Sequence, residues 1–280
     1  MSKAIAITRA VSEALASCEL TCLSRVPIDV DVARAQHRAY EEALDAAGYR
    51  VEHLEADETM PDSVFVEDIA VVFDEVAILT NPGAPSRRRE LTAIAASLAA
   101  HRPLQQIQPP ATVDGGDVLV AGRHVFVGQS TRTNDAALVQ IRRILGPFGY
   151  TVVGAQVRGC LHLKSAVTAL ADDVLLANKA WIDPEAFAAF KLVEVAPGEP
   201  SAANVLRLSD RIVAAQAFPR TADRVANEGF HLCLVDASEL AKAEGAVTCC
   251  SLIVPFRPFE GFRVAPNPFE GREPHGRPAV

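Results

Sequence analysis

The sequence predicts an α/β fold in which five hairpin–helix units close into a propeller-like ring. Three observations carry that expectation. Five segments read as paired strands: 64–81, 112–128, 160–178, 202–216 and 245–254, each rich in β-branched residues. Their starts fall at residues 64, 112, 160, 202 and 245, in steps of 48, 48, 42 and 43 residues, which is the self-similarity of a repeat architecture. Between the hairpins the apolar period switches from 2 to about 3.6.

Taken in order, KAIAITRA from Lys3 is an apolar strand that completes the last hairpin, GAVTCCSLIV, so the two ends of the chain share one unit. Residues 29–47 form a helix with Val32, Ala33, Tyr40, Leu44 and Ala47 on one stripe, and residues 86–100 do the same with Leu91, Ile94, Ala95 and Leu98. The turns of the first three hairpins are marked by Phe73-Asp74-Glu75, Ala121-Gly122-Arg123 and Ala171-Asp172-Asp173. Residues 134–145 place Leu138, Ile141 and Leu145 together and stop at Gly146-Pro147. Asp183-Pro184-Glu185 opens a short helix with cap, first-turn proline and acid in order, and Thr221 and Ser238 read as caps of two more. One domain over 1–255 follows. Beyond it, 256–280 carries several Pro and Gly and little periodicity, and is expected to be a flexible tail.

With 27 Lys+Arg against 35 Asp+Glu the net charge is −8, and no basic block is present; phosphate neutralisation needs clustered cations, so nucleic acid is not the expected partner. No apolar run is long enough for a bilayer span. The start is broken by Lys3, Arg9 and Glu13 and reads as no secretory signal, which makes a reducing cytoplasm the expected location and free thiols the expected state of the six cysteines. Cys18 and Cys22 lack a second pair to complete a structural zinc site.

Polar residues interrupt the apolar segments near the start of every hairpin: Glu67-Asp68, Asp114-Gly115-Gly116-Asp117, His162, Asn204 and Thr248-Cys249. A polar group on a core strand is costly unless paired, so five coincident interruptions imply one shared site on the axis of the ring. A lone cysteine is ordinarily a buried thiol. Cys249 is singled out because His162 and Asp114 occupy corresponding places, and thiol, imidazole and carboxylate together make an activated nucleophile with an oriented base. Cys249 and Cys250 on a strand point to opposite faces, so only one of them can face a site. An Asp-Gly pair is a turn signal, but the alternation in TVDGGDVLV puts Asp114 at a strand start. Asp62, Glu67 and Asp68 cluster where a cation would bind, and the adjacent acids Glu67 and Asp68 cannot both be solvent-facing in a strand. Arg87, Arg88 and Arg89 oppose the dipole at a helix start, and Arg132 precedes another; an anion is expected at one or more of them, and the guanidinium fork suits a carboxylate. The implied substrate is a zwitterionic amino acid with a cationic side chain.

VDVARA (Val30 to Ala35), VFVEDIAVV (Val64 to Val72), NPGAPSRR (Asn81 to Arg88), VDGGDVL (Val113 to Leu119), TRTN (Thr131 to Asn134), HLKS (His162 to Ser165) and TCCS (Thr248 to Ser251) follow one another in the chain. From Ile5 to Val254 the sequence resembles the dimethylarginine dimethylaminohydrolase (dimethylargininase) family of the guanidino-modifying pentein superfamily. The resemblance implies a five-bladed β/α propeller and hydrolysis of N-omega-methylated arginines to citrulline without a cofactor. It further implies Cys249 as nucleophile, His162 as general acid/base and Asp114 as its orienting carboxylate. Asp62, Phe65, Glu67, Asp68, Arg87 or Arg88, Arg132, Ser165 and the Ala243-Glu244 pair are implied around the substrate, with Leu20 on a loop that covers it. Metal at Cys249 and His162 would be inhibitory, because zinc would occupy the nucleophile. Where the family often has Val-Asp-Gly this chain has Ala243-Glu244-Gly245, and the longer acid is expected to shift contacts to the substrate's α-amine. Deimination or amidine transfer on an unmethylated guanidino substrate is the alternative chemistry, and a non-catalytic amino-acid-binding pentein the bland one. Monomer and homodimer both fit the sequence.

Overall fold

A computed structural model describes residues 4–256, and the tail expected beyond that lies outside the described residues. The first unit holds β1 (Ala4–Arg9), α1 (Val30–Ala46) and β2 (Tyr49–Leu54). The second holds β3 (Ala70–Val72), β4 (Ala77–Leu79), α2 (Leu91–Ala99) and β5 (Leu104–Gln106). The third runs through β6 (Val118–Ala121), β7 (His124–Gln129), α3 (Asp135–Leu145) and β8 (Thr151–Gln156). The fourth begins with the short helix α4 (Leu163–Ala166) and continues through β9 (Val167–Ala169), β10 (Val174–Ala177) and β11 (Lys191–Glu194). The fifth comprises β12 (Val205–Arg207), β13 (Ile212–Ala215), α5 (Pro219–Asn227) and β14 (Leu232–Val235). The chain then passes through α6 (Ser238–Lys242) and returns to the first unit as β15 (Leu252–Pro255).

These strands make five three-stranded sheets of one design: a central strand with an antiparallel partner on one side and, on the other, the next strand in the chain, parallel and reached by a crossover. The first sheet is completed by the other end of the chain, with Ala4 opposite Pro255 and Ile7 opposite Leu252, as the apolar N-terminal strand requires. Inner strands of neighbouring sheets pack together, β15 on β3, β6 on β9 and β9 on β12, which arranges the units as the blades of the expected propeller.

The parallel outer strands β2, β5, β8, β11 and β14 are absent from the hairpin–helix expectation. They sit at sheet edges: LQQ, KLVE and LCLV are too brief to show alternation, and the six-residue YRVEHL and TVVGAQ are only partly buried and carry no clean apolar alternation. The central strand AIAI is buried on both faces, and its unbroken apolar run follows from that. Ala4 and Ala6 pack with Tyr40 and Leu44 of α1, whereas Ile5 and Ile7 pack with Ile94 and Leu98 of α2. Ile94 and Leu98 are fully buried, each contributing about 1.5–3 kcal/mol.

Asp29 caps α1 through Val32 N–H and Asn134 caps α3 through Ala137 N–H. Val32 is instead exposed, and Gln36 and His37 fill the buried stripe. Asp183 caps a 3-10 turn, Pro184–Phe187, rather than an α-helix. Thr221 is no cap: it lies inside α5, where its hydroxyl donates to Glu199 and accepts from Ala196 N–H. Ser238 is the first helical residue of α6, one place beyond the cap Ala237. All six cysteines are free. Among the described residues no helix is long and apolar enough to cross a membrane.

Candidate active site

The polar interruptions lie not in strands but on or beside a helical turn that precedes the inner strand of each blade. Val66–Ile69 and Gly115–Asp117 are 3-10 turns, α4 follows His162 directly, and residues 201–203 and 247–250 form turns before β12 and β15. The difference has a steric cause. A strand alternates its side chains, but a tight turn buries two consecutive residues together, and Glu67 and Asp68 are both buried. The same correction applies to Cys249 and Cys250: on their turn Cys249 reaches the axial cavity, while Cys250 is buried with its thiol 3.6 Å from Ala246 O.

The Asp114-Gly115-Gly116-Asp117 run is an axial turn, not a hairpin turn, and its glycines are there for close approach. A Cβ on Gly115 would sit 1.9 Å from Glu67 O, and one on Gly116 would sit 2.6 Å from His162 Nδ1 and 2.8 Å from Asp68 Oδ1. Gly116 N–H instead donates to Asp68 Oδ1 at 3.0 Å.

An axial cavity, open to solvent, is lined by Asp62, Phe65, Asp68, Arg87, Asp114, Arg132, His162, Ala243, Glu244 and Cys249, together with Glu19, Leu161 and Gly245. The blades thus bring thiol, imidazole and carboxylates to one space. His162 Nε2 lies 3.1 Å from Asp114 Oδ2, and its Nδ1 lies 3.8 Å from Asp68 Oδ1. Burial alone would lower the imidazole pKa, but Asp68, Asp114 and Asp117 outweigh it and raise it to about 9. Among the described residues, Asp68, Asp114 and His162 form the one group of three donors close enough to hold a metal ion, all within 4.8 Å of one another; Cys249 is outside it.

Asp114 is 1% exposed and accepts from Gly83 N–H at 2.8 Å. Asp117 accepts from Ser130 Oγ at 2.5 Å, Thr133 Oγ1 at 2.6 Å and Leu163 N–H at 2.9 Å, which secures the start of α4 next to His162. Cys249 is partly exposed. Burial pushes its thiol pKa well up, and the Glu67 and Asp68 carboxylates push it further.

Arg87 is buried and its fork is filled from within the protein. It donates to Asp68 Oδ2 (2.5 Å), to both carboxylate oxygens of Glu90 (3.0 and 2.8 Å), and to the carbonyls of Asp62 (3.1 Å) and Phe65 (2.9 Å). The anion expected at this helix start is therefore a pair of the protein's own carboxylates. Burial would raise the Asp68 pKa, but His162 and Arg87 hold it below the ordinary carboxylate value. Asp62 is raised by burial and accepts from Glu19 N–H at 3.2 Å. Arg132 keeps more freedom: Nη2 donates to Thr21 Oγ1 at 2.8 Å, and Nη1 is 3.8 Å from Asp114 Oδ2.

Four residues placed at the site from the sequence do not line the cavity. Glu67 lies behind the Cys249 turn, accepting from Lys164 Nζ and Thr248 Oγ1, both at 2.6 Å, while its N–H donates to Cys249 O at 3.1 Å. Arg88 is exposed and donates to Pro82 O. Ser165 sits in α4 with its N–H on His162 O, and Leu20 packs its side chain against the core beside the loop residues Glu19 and Thr21. Glu244 lines the cavity, but its carboxylate faces that loop, accepting from the N–H groups of Thr21, Cys22 and Leu23.

Sequence reasoning missed Glu19, Leu161 and Lys164. Lys164 had a signal, since a lysine two residues from the candidate base and within an apolar segment needs a buried partner. Glu19 had none, because only the fold brings it to the cavity.

Residues 25–188 match the family described as N,N dimethylarginine dimethylhydrolase, eukaryotic. The chain is 40% identical to the N(G),N(G)-dimethylarginine dimethylaminohydrolase of Streptomyces coelicolor over 88% of its own length and 95% of that protein's. Identity to the enzyme of the same name from Pseudomonas aeruginosa is 35%, over 79% of this chain and 89% of the relative. A solved structure of a cysteine-to-serine mutant of the Pseudomonas aeruginosa enzyme, complexed with citrulline, superposes with a TM-score of 0.85 and 33% identity, covering 90% of this chain and 100% of that one. The arginine dihydrolase domain ArgZ from cyanobacteria shares the fold at a TM-score of 0.81 and 17% identity, over 90% of this chain and 98% of that one. Geometry, sequence and fold agree: the chain belongs to the dimethylarginine dimethylaminohydrolase family, within the pentein fold.

Proposed function

We propose that the protein hydrolyses N-omega-methylated arginines to citrulline and methylamine or dimethylamine, with Cys249 as nucleophile, His162 as acid and base, and Asp114 as the group that orients the imidazole. One observation carries the reading: Cys249, His162, Asp68 and Asp114 share a single cavity with Arg132 in a chain of this family. Asp68 and Asp114 supply negative charge for the guanidinium, and Arg132 suits the α-carboxylate.

The protonation states follow from the electrostatics. At neutral pH His162 is an imidazolium and Cys249 a thiol. An arriving guanidinium adds positive charge beside the sulfur, and Cys249 loses its proton to solvent. The thiolate attacks the guanidinium carbon, forming a C–S bond. His162 then protonates the substituted nitrogen, the C–N bond breaks and the amine departs, leaving a covalent thiouronium and a neutral imidazole. The imidazole takes a proton from water, the hydroxide adds to the same carbon, and the C–S bond breaks as the hydroxyl proton passes to the departing sulfur, which returns the Cys249 thiol, the His162 imidazolium and citrulline. The released amine takes up the proton that Cys249 had given to solvent. Glu67, through Thr248 and the Cys249 carbonyl, holds the nucleophile's turn in place.

The test is citrulline release from dimethylarginine, arginine and agmatine side by side. Dimethylarginine is expected to turn over fastest, and Cys249→Ser to abolish release while binding persists. Fastest turnover of arginine would assign a deiminase instead, and no citrulline from any of them would leave the binding-only reading.

A further inference from the structure

Glu244 is the one non-glycine residue with a positive φ, 61°, among the described residues. A side chain in that conformation is unfavourable and persists where its surroundings over-determine it. Those surroundings are three consecutive backbone N–H groups: Thr21 at 3.0 Å, Cys22 at 2.6 Å and Leu23 at 2.6 Å from the Glu244 carboxylate. Successive N–H groups converging on one anion form a backbone nest.

The loop that makes this nest is exposed and borders the cavity, which it lines through Glu19. Asp62, itself a lining residue, takes Glu19 N–H, and Arg25 ties back to the carbonyls of Ala16 and Cys18. Thr21, within the nest, accepts from Arg132 Nη2 at 2.8 Å. The Glu244 carboxylate, the loop and the Arg132 guanidinium are therefore joined in series. An aspartate at 244 would fall one methylene, about 1.5 Å, short of this reach.

We propose that Glu244 is a positioning residue that latches residues 19–23 beside the cavity and, through Thr21, sets the orientation of Arg132, so that it governs affinity for the amino-acid end of the substrate more than cleavage at the guanidinium. The effect on Arg132 rests on the functional reading above, whereas the latch itself does not.

Glu244→Gly separates the latch from the backbone, because glycine accepts a positive φ without strain. Its melting temperature is expected to equal or exceed that of the natural protein. Amide exchange at Thr21, Cys22 and Leu23 is expected to speed up by about tenfold or more. KM for dimethylarginine should rise by about tenfold, outpacing any fall in kcat, with part of the affinity recovered in Glu244→Gln, which keeps one acceptor oxygen. Unchanged exchange in Glu244→Gly overturns the latch, and a fall in kcat with KM constant overturns its action through Arg132. If the natural protein releases no citrulline from any guanidino substrate, the functional reading fails, and exchange alone decides the latch.

Discussion

The turns that carry His162 and Cys249 occupy the corresponding place in two blades, and buried carboxylates act on both, with Asp68 common to the two. Around His162, Asp68, Asp114 and Asp117 favour the charged imidazolium and overcome burial. Around Cys249, Glu67 and Asp68 disfavour the charged thiolate and add to burial. One field of negative charge thus holds a proton on the base and on the nucleophile alike. The acid needed for amine departure is ready, and the nucleophile waits for a cation to offset the carboxylates.

Removing the shared carboxylate breaks this comparison most directly. Asp68→Asn takes away the leading attraction on His162 and one of the repulsions on Cys249, so both pKa values are expected to fall. The same change strips a guanidinium partner from the cavity and from Arg87, and kcat/KM should drop by about 10²-fold or more, as expected when a buried charge loses its partner at a cost of about 3–5 kcal/mol. Imidazole titration followed by NMR and the pH profile of Cys249 alkylation check the two shifts; opposite movements would refute the common field.

A smaller effect separates the imidazole from the thiol through stability. The His162 pKa is raised from its ordinary value of 6.5 to about 9, so its protonation stabilises the fold fully below pH 6.5 and that contribution is lost as pH rises through about 9. The melting temperature of the natural protein should exceed that of His162→Asn by most at pH 6, with the gap closing by pH 10. A gap that widened with pH would reverse the sign assigned to the carboxylates.

The two arginines at the cavity sharpen the contrast at the lowest amplitude. Arg87 is saturated by Asp68, Glu90 and two carbonyls, whereas Arg132 has a single close partner in Thr21. Arg132→Lys keeps charge and loses the fork, for about 1–3 kcal/mol, read mostly in KM. Arg88→Ala, at an exposed position outside the cavity, should leave kinetics and melting temperature nearly unchanged. Equal responses at 132 and 88 would remove Arg132 from the site.

Apolar repetition in VFVEDIAVV, TVDGGDVLV and AIAITRA made the five blades and the closure of the ring readable, because the inner and central strands of each blade are largely buried. Coincident polar residues likewise revealed that Asp68, Asp114, His162 and Cys249 share a site, since such groups are costly in a core unless they meet. The outer strands LQQ and KLVE stayed hidden because a short edge strand bears little pattern.

The sequence by itself determined the ring, the family resemblance and the residues that converge on the axis, all of which follow from hydrophobic period and the cost of buried polarity. Tertiary structure alone decided which way each fork and carboxylate points: Arg87 inward to Asp68 and Glu90, Glu67 to Lys164 and Thr248, and Glu244 to the loop beside the cavity. Hydrogen bonds and ion pairs act over a few ångströms between residues as much as 223 positions apart, and chain order carries no record of those distances.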